Sequence, residues 1–355
     1  MRTWSQPVFL GGDVPKKAKR LWDDVTSHEN LQAAFKKVRN GKRFHPSILR
    51  IYYDLDDNLL ELRQRLRSHT WRPAPYRQFW VQETKPRLIH APAAIDRVVH
   101  WALMLQAGPV FERRFIDDTY ACREGRGAHL ASRRLRAFLR TATALWGKPY
   151  ILKADISKYF PSIDQHILMD TLARLIADPD VLWLFDAIIR NNGAGYGVGI
   201  PIGALTSQWL ANLYFDPVDH FIKDDMGIRF YLRYMDDFVI IGPSRLWCQT
   251  VLDNVRDFLA CRRLALNPKT DIFPASHGVD FVGYRHWTDH VLPRKRTVLR
   301  ARRVFRRFPV RYARGEIDLE YIRPRVASFT GYMGHCDGYA TLEHILERLV
   351  LTRGE

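Results

Sequence analysis

Apolar residues recur at helical spacing early in the chain, as in LQAAFKKVRN (31–40) and DNLLELRQRLRSH (57–69), so residues from about 20 to 145 are predicted to be mainly helical. The stretch from Arg72 to Ala91 breaks that period; rich in Pro, aromatic and β-branched residues, it is predicted to be extended. From Pro149 to about Trp287, apolar runs of strand length (YILKADIS, RFYLRYMDDFVIIG, VDFVGYRHW) alternate with helical stretches such as HILMDTLARLIA and CQTVLDNVRDFLACRRL. The expected class is α+β. Beyond Val291 the pattern changes again: ten of the 21 residues from Arg294 to Arg314 are Arg or Lys, with Val298, Val304, Phe305 and Phe308 between them. That spacing predicts a basic helical segment with an apolar face. No internal repeat or low-complexity segment is visible.

Composition adds a partner to this picture. With 46% hydrophobic and 12% aromatic residues the chain can repay its ordering entropy and fold. The formal charge of +17 and a pI near 9.9 would repel itself unless a polyanion is the usual partner, and nucleic acid is the first expectation. An anionic membrane is the competing partner, but no run of about 18 apolar residues exists. The N-terminus MRTWSQPVFLGGDVPKK lacks the long apolar segment of a signal peptide, so a cytoplasmic protein without a membrane partner is expected. Cys122, Cys248, Cys261 and Cys336 form no C-x-x-C pair and read as ordinary thiols.

The chemistry gathers around RYMDDFVIIG (233–242), where adjacent carboxylates sit between two apolar runs of the kind that pair as strands. Alone, Asp236 and Asp237 also fit ordinary polar turn residues. A second setting argues against that: ILKADISKYF puts Asp155 at the end of another strand-like run. Buried, adjacent carboxylates are costly unless a cation compensates, and a hard divalent ion with oxygen ligands fits. Phosphoryl transfer to a 3′-hydroxyl uses two such ions about 3.5–4 Å apart. Asp155 and Asp236 are the expected bridging ligands, the Ile156 carbonyl an additional one, and Asp237 a looser one.

D-x-x-x-x-F at Asp155 to Phe160 and YMDD at Tyr234 to Asp237 closely resemble motifs A and C of reverse transcriptases. GIPIGALTSQWLANLYFDPVDHFI between them resembles motif B, LNPKT (266–270) motif D and FVGY (281–284) the primer-grip motif E. Upstream, KPRLIHAPAAIDRVVHWAL (85–103) and FERRFIDDTYACREGRGAHLA (111–131) resemble the fingers blocks of the branch related to group II introns. The motifs stand in the family's order over most of the chain.

The resemblance implies a right-hand polymerase fold. Residues 1–145 would form an N-terminal region and fingers; 146–290 a palm of antiparallel sheet flanked by helices, with finger elements near 190–205; and 291–355 a basic helical thumb. It implies an RNA-directed DNA polymerase using two Mg²⁺ ions (Mn²⁺ able to substitute), dNTPs, an RNA template and a DNA or RNA primer. Lys85 and Arg87 would contact the incoming triphosphate, though they also fit a solvated basic strand. Phe160 would lie under the sugar and reject a 2′-hydroxyl, though as a lone aromatic it also fits the core. Ile202, Gly203 and Gln208 would line the nucleotide site, Gly203 by letting the backbone come close or as a plain turn. Lys269 would be the general acid for pyrophosphate. Tyr234, Gly283, Tyr284, Arg296, Arg300, Arg303 and Arg307 would hold template and primer, while the basic segment also fits a merely solvated helix face. Tyr332 and His335 in GYMGHCDGY fit either RNA contact or a packed helix cap.

The chain departs from the family at Pro201-Ile202-Gly203, where most members carry P-Q-G. An alkyl group thus replaces an amide beside the nascent base pair, which would relax fidelity. Ile202 to Gln208 matches the I-G-x-x-x-S-Q pattern of diversity-generating retroelement reverse transcriptases. These copy a template-repeat RNA with errors at adenines and work with a small, basic, oligomeric accessory variability protein. The alternatives are an antiviral defence reverse transcriptase with its own noncoding RNA and a second defence protein, or a noncatalytic RNA-binding relative. A retron enzyme, a group II intron maturase and an RNase H domain are not expected. The first usually has Ala where Met235 stands, and only about 40 residues follow the thumb-like region.

Overall fold

The computed structural model describes residues 17–82, 86–191 and 197–352. The chain forms two compact units, Met1–Phe115 with Lys158–Pro217 and Ile116–Ser157 with Val218–Glu355.

The first unit is built around the helix Ala94–Glu112, in which Val98, Val99, Ala102, Leu103 and Ala107 are fully buried, as an internal helix requires. The helix His28–Arg39 packs against it. Asn30 ties the two, donating from Nδ2 to the carbonyls of Val25 and Ala102, both at 3.0 Å, while its Oδ1 accepts from Gln106 at 2.9 Å. The stretch expected to be extended contributes strands β1 (Arg77–Gln82) and β2 (Pro86–Ala91), paired antiparallel. Asp164 and Asp178 cap the helices Gln165–Leu175 and Pro179–Arg190 with their side chains. The helix Leu205–His220 carries the chain out of this unit.

In the second unit β3 (Tyr150–Asp155), β4 (Tyr231–Tyr234), β5 (Asp237–Gly242) and β6 (Asp271–Pro274) form an antiparallel sheet in the order β4-β5-β3-β6. Period-two alternation sends Ile151, Val239 and Ile241 to one face, where they join Leu135, Phe138 and Leu139 of the helix Ala128–Trp146 in one core. The helix Arg245–Cys261 covers the other face, and a Cβ at Gly242 would strike Trp247 there. Strands β7 (Val279–Phe281), β8 (Tyr284–His286) and β9 (Val291–Pro293) make a second antiparallel sheet. The basic segment, expected as one helical stretch, is divided into Lys295–Phe305 and Phe308–Ala313. Pro309 has no N–H to continue a helix and sits where it is tolerated, in the first turn of the second. With Leu319–Met333 and Tyr339–Leu346 these helices enclose a core of Phe305, Phe308, Ile322, Phe329 and Met333. The architecture is α+β with antiparallel sheets. Among the described residues no helix is long and apolar enough to cross a membrane.

Candidate active site

Strand β3 ends on Asp155 and β5 begins on Asp237, and the two are direct cross-strand partners. Directly opposed residues hold their Cβ atoms about 4.5–5.5 Å apart, so register alone brings these carboxylates together. Only Met235 and Asp236 separate β4 from β5, and the Asp236 carbonyl accepts from the Ile156 amide at 3.2 Å. This turn is strained: Met235 has φ +60°, a conformation that costs a residue with a Cβ. Arg233 holds it. Its Nη1 donates to the Met235 carbonyl at 2.7 Å, while Nε and Nη2 form a two-pronged pair with Asp219 at 2.8 and 2.5 Å. Tyr231 donates its hydroxyl to the same carboxylate. Arg233 and Asp219 are fully buried, so a desolvated ion pair underlies the acidic turn.

On the aspartate face of β3, Lys153 makes an ion pair with Asp237. Burial pushes its ammonium down to about 7, against the opposing pull of the Asp155 and Asp236 carboxylates. Asn267 donates from Nδ2 to Asp155 Oδ2 and accepts the Lys269 amide on Oδ1, both at 3.1 Å. The L-N-P-K-T turn is thereby pinned to the first carboxylate, with Lys269 exposed on it. Among the described residues no group of three or more His, Cys, Asp or Glu side chains is arranged as a ready metal cage. The donors nonetheless suit a hard divalent cation: all are oxygens, and a buried Asp237 oxygen already draws an ammonium.

Arg87, Phe160, Ile202, Gly203 and Gln208 lie in the first unit, whereas the aspartates, Lys269, Tyr234 and the FVGY turn lie in the second; Lys85 lies outside the described residues. Arg87 is exposed on β2. Phe160 is half-buried, edge-on to Tyr159, and its carbonyl accepts from the Ile200 amide at 3.1 Å. Gln208 is half-buried in the first turn of its helix. The His90 amide donates to the Ile202 carbonyl at 2.7 Å, laying the P-I-G segment on β2. Gly203, at φ +118°, would with a Cβ meet Ile89 Cγ2 at 2.8 Å and the His90 carbonyl at 3.1 Å. The protein's own strand thus already requires glycine there.

The turn between β7 and β8 has φ +43° at Val282 and +93° at Gly283. Tyr332 braces it: its hydroxyl donates to the Gly283 carbonyl at 2.6 Å and accepts the Arg294 amide at 3.1 Å. Tyr284 donates its hydroxyl to the Tyr332 carbonyl at 3.1 Å, and the two rings stack at 4.8 Å. Asp337 adds a second tie, accepting the Val291 amide on its carboxylate and donating its own to the Val291 carbonyl. GYMGHCDGY therefore fastens the C-terminal helices to the FVGY hairpin, while exposed His335 stacks on His129. Arg296, Arg300, Arg303 and Arg307 are all exposed. Lys153, Asp219, Arg233 and Asn267 went unread in the sequence. The one visible signal was Arg233, a charge interrupting the apolar run FYLRY.

A sheet with one aspartate at a strand end and two at the adjoining hairpin, with helices packed on it, is the arrangement that the sequence resemblance implies for a palm. The profile of the family described as reverse transcriptase (RNA-dependent DNA polymerase) matches residues 80–286, more than half of the chain, and the chain belongs to that family. Its relatives put it on the group II intron-like branch. It is similar to Protein YkfC of Escherichia coli (strain K12), 25% identical over 355 residues, covering 86% of this chain and 91% of that one. The group II intron-encoded protein LtrA of Lactococcus lactis subsp. cremoris is 23% identical over 179 residues, 47% of this chain and 28% of that one. Nuclear intron maturase 1, mitochondrial, of Arabidopsis thaliana is 32% identical over 95 residues, 27% and 12% of the two chains. The chain thus spans nearly all of the first relative and a small part of the other two. Among solved structures, a telomerase from Candida albicans overlaps 78% of this chain and 55% of its own at 12% identity and a TM-score of 0.47, too loose to bear on the site.

Proposed function

We propose that this chain is an active RNA-directed DNA polymerase, extending a DNA or RNA primer with dNTPs on a dedicated noncoding or template-repeat RNA. The observation that carries the reading is the cross-strand pairing of Asp155 with Asp237, with Asp236 tied beside them through Ile156. Two Mg²⁺ or Mn²⁺ ions, held by Asp155, Asp236, Asp237 and the Ile156 carbonyl, would lower the pKa of the attacking 3′-hydroxyl and neutralise the leaving pyrophosphate. The protein's own groups do the rest. The Arg233–Asp219 pair keeps the acidic turn in its strained form, and Asn267 orients Asp155. Lys269, on the turn that Asn267 pins, donates a proton to the leaving group. Lys85 and Arg87 bind the triphosphate, Phe160 rejects a 2′-hydroxyl, and Ile202, Gly203 and Gln208 bound the nucleotide. Tyr234 and the braced Gly283–Tyr284 turn position the primer end, and Arg296, Arg300, Arg303 and Arg307 neutralise backbone phosphates. The I-G-x-x-x-S-Q match favours a diversity-generating retroelement, error-prone at adenines and partnered by a basic accessory protein.

Primer extension on RNA with dNTPs and Mg²⁺ tests the reading, comparing the unaltered protein with Asp236→Asn. The variant is expected to lose synthesis and keep RNA binding. Undiminished extension by it would overturn the metal assignment, and no extension by the unaltered protein would overturn the polymerase reading.

A further inference from the structure

No step of the proposed reaction uses Lys153, yet it stands inside the acidic site. Period-two alternation puts Ile151, Lys153 and Asp155 on one face of β3, opposite Ile241, Val239 and Asp237 of β5. Ile151, Val239 and Ile241 are buried in the core shared with the helix Ala128–Trp146, so Lys153 is a cation set where that apolar core meets the carboxylates. Its ammonium lies over the ring of the fully buried Phe281 at 5.1 Å and pairs with Asp237 Oδ1. That oxygen is itself buried. Another carboxylate was nearer by register: Asp271 of β6 is the direct cross-strand partner of Lys153, on the same face, and it is exposed. Lys153 therefore passes over the acid directly opposite and reaches the diagonal one on the other neighbouring strand.

Carboxylates held at cross-strand distance repel one another, and an ammonium among them lowers that cost. The same ammonium is a competitor. An oxygen that a lysine covers cannot at the same time coordinate a divalent ion, and two cations held a few ångströms apart on the same carboxylates repel. The four-carbon stem lets the ammonium leave without moving β3, and Asp271 stands on its other side. We propose that Lys153 is the resident counter-ion of Asp237, holding that carboxylate until a divalent ion takes it and then turning across the sheet to Asp271. The inference rests on the metal assignment proposed above and adds to it an exchange of cations at one oxygen. Lys153 is thus a positioning residue, acting on the reaction only through Asp237.

The test is titration of Mn²⁺ into the whole chain without nucleic acid or dNTP, the free ion being counted by electron paramagnetic resonance, at pH 6.5, where the ammonium is charged. A pair that holds about 80–90% of the population lowers the ion's apparent affinity about five- to tenfold, so Lys153→Met should bind Mn²⁺ more tightly by that factor. Lys153→Arg, which keeps the charge, should stay close to the unaltered protein. Arg294→Met, which removes another cation acting on Lys153 but pairs with Asp280 rather than Asp237, should not reproduce the gain. In the unaltered protein the ¹³Cε signal of Lys153, identified by its loss in Lys153→Arg, should shift on adding Mg²⁺, and to a different position in Asp271→Asn. Equal Mn²⁺ affinity in Lys153→Met, a gain reproduced by Lys153→Arg or Arg294→Met, or a Lys153 signal indifferent to Mg²⁺ would overturn the proposal and leave the metal assignment in place. The same end position in Asp271→Asn would overturn the transfer to β6. Mn²⁺ binding equally well to Asp236→Asn would bring down the metal assignment and this exchange with it. Should Lys153→Met not fold, the signal of the unaltered protein decides alone.

Discussion

Replacing Arg233 with Met removes the cation behind the acidic turn while keeping much of its volume. The change takes the two-pronged guanidinium partner from the Asp219 carboxylate, which is buried at 0% exposure and keeps the Tyr231 hydroxyl as a donor, and it releases the Met235 carbonyl. Breaking a buried ion pair from one side costs about 3–5 kcal/mol, a large share of the roughly 5–15 kcal/mol that holds a domain folded. For a unit of this size each kcal/mol moves the midpoint by about 2–4 °C, so thermal unfolding should shift down by about 6–20 °C. Adding Asp219→Asn removes the stranded charge, and the double variant should regain at least half of that loss. Polymerisation should not recover with it, because Met235 at φ +60° still lacks its anchor. Scanning fluorimetry with primer extension, run on both variants, measures each part. A shift below about 3 °C for Arg233→Met, or a double variant no more stable than the single, would refute the claim that this pair carries the turn.

Ile202→Gln restores the amide usual in the family without touching the main-chain bond to His90, and misincorporation opposite template adenines should fall; an unaltered error spectrum by product sequencing would remove the alkyl group as the cause. Burial pushes His286 down to about 4, where the neutral ring donates from Nδ1 to the Val279 carbonyl and accepts from Ser132 on Nε2. Its contribution is therefore complete above the ordinary value of 6.5 and is lost as pH falls toward 4, about 3 kcal/mol in all. Urea denaturation at pH 7 and pH 4.5 should show that loss reduced in His286→Asn, and equal slopes in the two proteins would contradict it. Tyr332→Phe deletes the hydroxyl that braces Gly283 and Arg294. Single-nucleotide addition should persist while products made in one binding event, with a heparin trap, become shorter; unchanged product lengths would separate the brace from primer handling.

Much of this molecule is local and was readable in order along the chain. Apolar runs of four to six residues became β3, β4 and β5, and the two residues between FYLRY and the next strand became the acidic turn, because side-chain period and charge are properties of neighbours. The excess of cations and the motif order pointed to a nucleic-acid polymerase for the same reason. Other features depend on which distant segments meet. That β3 slots between β5 and β6 in the register pairing Asp155 with Asp237 is a choice among registers that the buried face settles, since a slip by one residue would turn Ile151 and Val239 to the wrong side. Arg233 found Asp219, Asn267 found Asp155, Gly203 was confined by Ile89, and Tyr332 reached Gly283 across 49 positions of sequence. None of these residues announces its partner, because a hydrogen bond or a steric limit belongs to a pair, and only the folded chain sets the distance between its members.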